Sequence, residues 1–536
     1  MKIKFLIFTI LLFFGLTLYL PFISIKEFQG EEGRRVLIAL QMLETKEYLF
    51  PQLFGEPYFQ KPPLFNWALS LFFKLTGDYS EFTARAFSAL SMIISSLFLT
   101  FIWFRILKTF KNRIEFIELL LPGLIFLTTP EVIDKALRAE IDAFYTMLIT
   151  FALYSWFYLH EIQKRRYLAF FISGFFLGLG ILTKTFQALV FFYLAYIPYL
   201  FFQRRLREFL SFPHFLGVLT VLLVFLAWAI PVSQKIGLKP FISAWLSEYL
   251  SAAKAKEMSF LQHLESFTIQ ALIGFSPWII TLLVYRKKEF KIFLKSESPF
   301  LYNLFIFSGC LFLLGYLFHF LFPGARLRYM LPSVSGLVFL VTISFYYLFS
   351  QREVSQKLKI FLFKIFPSVS ILFSLIFLIY LLLSFPENSS YFYFFIFLFM
   401  FLNFRIILKK NGTFKELFIY LIFYVFLIKQ LYVTFYYPFH QKEMNYFRKA
   451  ALKIAELVKD KRELYLCNII PHHLVYYLKY RYKLVNKVEY LKDCKELPKS
   501  SYILVKNIPF SFEKEKIVKI YPIEIRKKKY HLLLIN

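Results

Sequence analysis

Apolar runs recur along this chain at about 4–23, 83–104, 115–132, 143–160, 167–183, 186–202, 213–233, 267–285, 300–321, 330–349, 360–384, 391–408 and 415–436. A helix needs ~20 apolar residues to cross the hydrocarbon core, so the sequence predicts about thirteen spans and a polytopic α-helical membrane protein. With 58% hydrophobic residues, 74 Phe and 36 Tyr, the chain is no soluble globule. Lys+Arg 64 against Asp+Glu 34 gives a net charge of +30. A nucleic-acid binder would show that balance too, but here the basic residues sit in short clusters between apolar runs. That spacing belongs to membrane topology and argues against nucleic acid as a partner.

The clusters fix an orientation. Lys2 and Lys4 precede the first run. Later ones hold Arg105, Lys108, Lys111 and Arg113; Lys164, Arg165 and Arg166; Arg204, Arg205 and Arg207; Arg286, Lys287, Lys288, Lys291 and Lys295; Arg352, Lys357 and Lys359; and Arg405, Lys409, Lys410 and Lys415. If thirteen spans alternate, all fall on one side, which the positive-inside rule makes the cytoplasm, together with the N-terminus. The N-terminal run has the basic start of a signal peptide but no small-x-small cleavage site before Lys26, so it is expected to stay as a first span. The outer side then receives residues 24–82, the connections near 133–142, 184, 235–265 and 322–329, and everything after 436.

Composition changes near Tyr437, which divides the chain into a transmembrane domain, 1–436, and a small extracytoplasmic α/β domain, 437–536. Within the latter the pattern predicts an amphipathic helix over 440–459, strands at Glu463–Cys467, Tyr502–Lys506, Ile517–Ile525 and Tyr530–Ile535, and a helix at Pro471–Leu478. Of three cysteines, Cys310 lies in an apolar run and is expected to pack there. Cys467 and Cys494 are compatible with one bridge or with two thiols.

The stretch from Glu27 to Arg85 is too elaborate for a simple connection. Glu31 and Glu32 open an amphipathic run with Val36, Leu37, Leu40 and Leu43 at helical spacing and Arg34, Arg35 and Gln41 on other faces. Pro63–Leu75, with Trp67, reads as a second helix lying in the membrane interface. Between them Lys61-Pro62-Pro63 holds a cation at a stiff turn, since each proline fixes its own φ and restricts the residue before it. Any one of these charges reads as solvated surface; together they point to a site at the membrane surface.

Glu31-Glu32-Gly33-Arg34, Tyr58-Phe59-Gln60-Lys61-Pro62-Pro63 and Glu81-Phe82-Thr83-Ala84-Arg85, in that order, resemble the first extracytoplasmic loop of the aminoarabinose transferase-like membrane glycosyltransferases. That family has the GT-C fold and is akin to the protein O-mannosyltransferases. Its pattern there is Asp-Glu-x-Arg, Tyr-Phe-x-Lys-Pro-Pro and Glu-Phe-x-x-Arg. The chain departs by carrying Glu31 for Asp and Gln60 where family members have Glu.

Three outer connections add further matches. Arg138-Ala139-Glu140-Ile141-Asp142 puts two acids before a span, where the resemblance implies a catalytic cavity and where helix capping by Asp142 is the plain alternative. Thr183-Lys184 matches the family's Thr-Lys-Gly-Pro, with Thr185-Phe186 in place of Gly-Pro. Arg326, Arg328 and Tyr329 precede Leu331-Pro332, where the family contacts the lipid donor's phosphate. Arginine suits that role because its planar fork meets phosphate oxygens two at a time.

The resemblance implies a glycosyltransferase of the cytoplasmic (inner) membrane, moving a sugar such as 4-amino-4-deoxy-L-arabinose from a polyprenyl-phosphate donor to lipid A or another glycolipid or protein acceptor. Glu31 or Glu32, with Glu140 and Asp142, form the catalytic set; Arg34, Lys61, Arg85, Lys184, Arg326, Arg328 and Tyr329 form the donor-phosphate set. No cofactor is expected. A divalent metal is poorly supported, with His263 its one candidate ligand, and the adjacent His472 and His473 read as surface. The rival reading is a non-enzymatic transporter or flippase of polyprenyl-linked sugars. It would use the same cations but need no gathered carboxylates, and it would more often show broken helices and a repeat between halves, neither of which is visible in the sequence.

Overall fold

The computed structural model describes residues 2–243, 245, 259–286, 288–350, 360, 364–384, 390–408, 413–433, 445–458, 463–467, 469, 471–491, 501–506, 517–525 and 528–535. Cys494 and six members of the basic clusters (Lys287, Arg352, Lys357, Lys359, Lys409 and Lys410) lie outside the described residues.

The chain divides into two compact units, one of residues 1–22, 88–137 and 141–436, the other of 23–87, 138–140 and 437–536. The sequence reading assigns 24–82 to the helical part, whereas their packing joins them to the C-terminal segment. The reason is a set of buried polar contacts. Glu27 Oε2 accepts the N–H groups of Phe447 (2.9 Å) and Arg448 (3.3 Å), satisfying free donors at the start of the helix Tyr446–Leu457. Arg448 in turn donates to the carbonyls of Ser24 and Ile25, each at 3.0 Å, and pairs with Glu81 at 2.6 Å.

In the helical unit every apolar run holds a helix among the described residues. Two runs read as single spans are broken instead. Phe116–Leu127 and Pro130–Ala136 meet at 62°, and Phe260–Phe275 and Trp278–Tyr285 at 96°. Pro130 and Pro277 stand at the breaks, where a residue without an N–H cannot continue the ladder. By length and composition five helices of the described residues suffice to cross a membrane, or seven if each bent pair is one span, so the chain is a multi-pass membrane protein.

The helix Val334–Ser350 is apolar on all faces and accordingly buried on all faces through Leu348, the condition of a central helix. Helices Arg166–Lys184 and Phe212–Ile236 approach backbone to backbone: a Cβ on Gly174 would stand 2.5 Å from the Gly217 carbonyl oxygen. Small residues permit such contacts in lipid, where close packing rather than water drives helix association.

In the other unit the two expected helices form at Glu32–Thr45 and Leu64–Thr76. The first is buried on more than one face: Arg35, expected outside, is 4% exposed because its Nη1 reaches the Tyr58 hydroxyl at 3.3 Å. A five-stranded sheet runs in the order Lys487–Leu491, Glu463–Cys467, Tyr502–Val505, Lys528–Ile535, Ile517–Ile525. The first three strands are parallel and the last two add antiparallel. Its core is Cys467, Ile503, Val505, Leu533 and Ile535. The sequence reading omits the edge strand Lys487–Leu491, whose residues are at best half-buried and show no alternation. Cys467 is disulfide-bonded and Cys310 is a buried free thiol.

Candidate active site

In the unit holding the first loop, the acidic pair separates into two different environments. Glu32 is 2% exposed. Its Oε1 accepts Arg85 Nε–H at 2.7 Å and Ala139 N–H at 2.9 Å; its Oε2 accepts Arg85 Nη2–H at 2.9 Å and Gln29 N–H at 2.8 Å. Burial alone pushes this carboxyl up, but the Arg85 charge and the four hydrogen bonds outweigh it and hold the group below its ordinary value of 4.5. A carboxylate with four donors in place has nothing left for an acceptor.

Arg85 is equally committed. Besides its two bonds to Glu32, it donates to the carbonyls of Ile23 and Lys26, each at 2.7 Å, and of Glu27 at 3.1 Å. A guanidinium has five N–H donors and here all five are engaged. Arg85, expected at the donor phosphate, therefore ties residues 23–32 to the start of its own helix.

Glu31 differs by being 35% exposed at its side chain. Its Oε2 meets Arg34 Nη1 at 3.1 Å and Arg35 Nη2 at 3.4 Å. Arg34 reaches further, from Nη1 to Gln60 Oε1 and from Nε to His472 Nε2, both at 3.3 Å. The Tyr58 hydroxyl donates to Gln60 Oε1 at 3.0 Å. Lys61 is half-buried and follows Gln60 directly, ahead of two buried prolines. Glu140 is 4% exposed, with Oε1 3.3 Å from where a Cβ on Gly30 would stand.

His472 and His473 are not surface residues. His473 stacks on Phe447 at 4.7 Å, and a Cβ on Gly33 would come within 2.8 Å of its ring and 3.2 Å of its backbone nitrogen. Gly33 thus admits the short helix His472–Val475 against Glu32–Thr45.

In the helical unit the fourth and fifth expected spans, with the late Arg-Tyr element, converge. Asp142 stands in the first turn of Ile141–Phe157, and its Oδ1 accepts Lys184 Nζ at 2.6 Å while its Oδ2 lies 3.9 Å from Arg328 Nη1. Lys184 sits over the rings of Tyr329 (5.0 Å) and Tyr145 (5.3 Å), and Arg328 over Tyr329 at 5.5 Å. Sequence reasoning missed Tyr145, although its place three residues after Asp142, on the same helix face, is the available signal. Arg326 is exposed. Thr185, which replaces a family glycine, has φ 93 and ψ −174, a region that side-chain-bearing residues seldom adopt.

His263 faces the His319 carbonyl through Nε2 at 3.2 Å, and no three His, Cys, Asp or Glu side chains group at metal-ligand spacing among the described residues. A small apolar recess of about 90 Å³ opens among helices Arg166–Lys184, Gln187–Phe202 and Phe212–Ile236, with Phe170, Leu177, Phe186, Phe192, Val221 and Phe225 in its walls. Phe186 is two residues from Lys184.

A family model described as dolichyl-phosphate-mannose-protein mannosyltransferase matches residues 60–230. Curated relatives include the undecaprenyl phosphate-alpha-4-amino-4-deoxy-L-arabinose arabinosyl transferase of Pseudomonas savastanoi pv. phaseolicola, 30% identical over 38% of this chain and 37% of that one. The enzyme of the same name from Aeromonas hydrophila is 32% identical over 41% and 39%. The matched stretch thus spans under two fifths of these relatives' length. In fold the likeness is end to end. ArnT from Cupriavidus metallidurans in the apo state superposes with TM-score 0.67 at 17% identity, over 98% of this chain and 97% of that one. The same protein bound to undecaprenyl phosphate gives 0.68 at 16% identity over the same shares. Family model, curated relatives and fold point the same way: the chain is similar in sequence to the aminoarabinose transferases and shares the fold of ArnT.

Proposed function

We propose that the protein is a membrane glycosyltransferase that transfers a sugar, 4-amino-4-deoxy-L-arabinose in the first instance, from a polyprenyl-phosphate donor to lipid A or a similar outer-side acceptor. The observation that carries this reading is the convergence of Lys184 and Arg328 on the single carboxylate of Asp142, both cations lying over the Tyr329 ring, close in sequence to an apolar recess. A lipid-phosphate leaving group develops negative charge as the sugar departs, and fixed cations stabilise that charge best where water is scarce. The apolar walls of the recess suit a segment of the isoprenoid tail. Arg326 joins this phosphate-binding set by resemblance to the family. Curated arabinosyl transferases and the fold shared with ArnT support the same reading.

Glu31 is the carboxylate for the acceptor, because it is partly exposed while Glu32 is saturated. It deprotonates or orients the acceptor; for an already ionised lipid A phosphate its part is orientation alone. Glu140 and Asp142 shape the electrostatics of their respective units. A divalent metal, if used, has no assembled ligand set to occupy among the described residues. The chain crosses the cytoplasmic membrane about thirteen times, with the N-terminus inside and the α/β segment after Tyr436 outside.

The test is Glu31→Gln in purified protein, with donor binding and sugar transfer measured in parallel. Transfer falls by roughly 10²–10⁴, the worth of a positioned base, while donor binding persists. Transfer at the parental rate would remove Glu31 from the chemistry. Donor translocation without any transfer would favour the transporter.

A further inference from the structure

Around Glu31 the loop unit builds a polar frame that the donor and acceptor roles do not account for. One member is His472, contributed by the C-terminal segment 438 residues after Arg34. The ring lies flat against Phe54, at 6.2 Å between centroids and 14° between planes, so its orientation is fixed by packing. Nε2 receives the Arg34 Nε–H, which requires the proton of a neutral imidazole to sit on Nδ1. Burial, then the charges of Arg34, His473 and Arg35, push the His472 pKa down to about 3, so it remains an acceptor at physiological pH.

We propose that His472 is a positioning residue for Glu31, acting through Arg34. Arg34 has one edge taken by His472 and the other facing Glu31 and Gln60. With Nε anchored, the guanidinium plane cannot swing about its long side chain, and Nη1 stays where it meets the Glu31 carboxylate. Gln60, itself held by the Tyr58 hydroxyl, fixes the other side of the same nitrogen. The consequence is that a carboxylate on a short, partly exposed side chain is presented in one direction. Arg34, expected on the donor phosphate, is assigned to the acceptor carboxylate instead.

This rests on the reading of Glu31 above, and the experiment separates the two. Transfer kinetics from undecaprenyl-phosphate aminoarabinose to lipid A are measured for Glu31→Gln, His472→Phe, His472→Gln and the double variant Glu31→Gln/His472→Phe. Phenylalanine keeps the stack on Phe54 and removes the acceptor; glutamine restores an acceptor oxygen. His472→Phe lowers kcat by about tenfold to a hundredfold at unchanged donor KM, the scale of a slightly misplaced catalytic group. His472→Gln recovers most of that loss, and the double variant is no slower than Glu31→Gln alone. If Glu31→Gln is slow and His472→Phe is as fast as the parent, the positioning role is wrong and the Glu31 reading stands. If Glu31→Gln is itself fast, both fall. A double variant slower than Glu31→Gln by the full His472→Phe factor overturns the coupling. Should His472→Phe fail to fold, His472→Leu, which also removes the ring acceptor and stays apolar against Phe54, decides by the same comparison.

Discussion

Arg85 and Arg328 each face a carboxylate, and they do opposite work. Arg85 is 2% exposed, meets Glu32 through two hydrogen bonds of 2.7 and 2.9 Å, and gives its remaining donors to three carbonyls of residues 23–27. Arg328 has a side chain 20% exposed and touches Asp142 at 3.9 Å, with Lys184 already on that carboxylate at 2.6 Å. The first is a closed set that holds backbone. The second gathers two cations on one acid, at a distance too long for a strong hydrogen bond, and can re-form around an incoming phosphate. Burial and donor bookkeeping, rather than residue type, separate a structural ion pair from a candidate binding one.

The largest expected effect breaks the closed set. Arg85→Ala leaves Glu32 buried without its cation and should cost about 3–5 kcal/mol, seen as a large drop in thermal midpoint of the detergent-purified protein. If that variant stays folded and loses donor affinity instead, the contrast drawn above is wrong. Arg328→Ala should behave in reverse. Donor affinity falls about tenfold to a hundredfold, the loss of one charge-assisted contact, while the thermal midpoint shifts little; calorimetric donor titration and a melting curve measure both.

Acid titration sharpens the comparison further. Glu32 has a folded pKa held below its ordinary 4.5, so its contribution is fully present above that value and is lost as pH falls through the lower, folded one. Stability should therefore decline with acidification below about 4.5, and Glu32→Gln, though less stable at neutral pH, should show a flatter acid limb in pH-dependent melting. The smallest effect concerns the cation cluster's own backbone. Thr185 occupies φ 93 next to Lys184, and Thr185→Gly should raise stability by about 1 kcal/mol, read as an upward shift in melting temperature.

Periodicity and spacing made much of this protein legible. Thirteen apolar runs contain helices, and four strands of the C-terminal segment fall where alternation predicts, because both depend on local patterns of burial. The motif Glu31-Glu32-Gly33-Arg34 and the late Arg328-Tyr329 could be picked out for the same reason: their residues lie within a few positions of one another. What the sequence could not rank was Glu31 against Glu32. They are neighbours of one residue type, and the difference between them is set by Arg85, Ala139 and Gln29 closing on one and not the other. Arg85 looked like a phosphate ligand and His472 like surface, since neither the carbonyls around the one nor Phe54 and Arg34 against the other is local in sequence. The chain alone decides which segments form helices and strands; which charges are satisfied inside the protein is decided by contacts between residues tens to hundreds of positions apart, which exist only once the tertiary structure has formed.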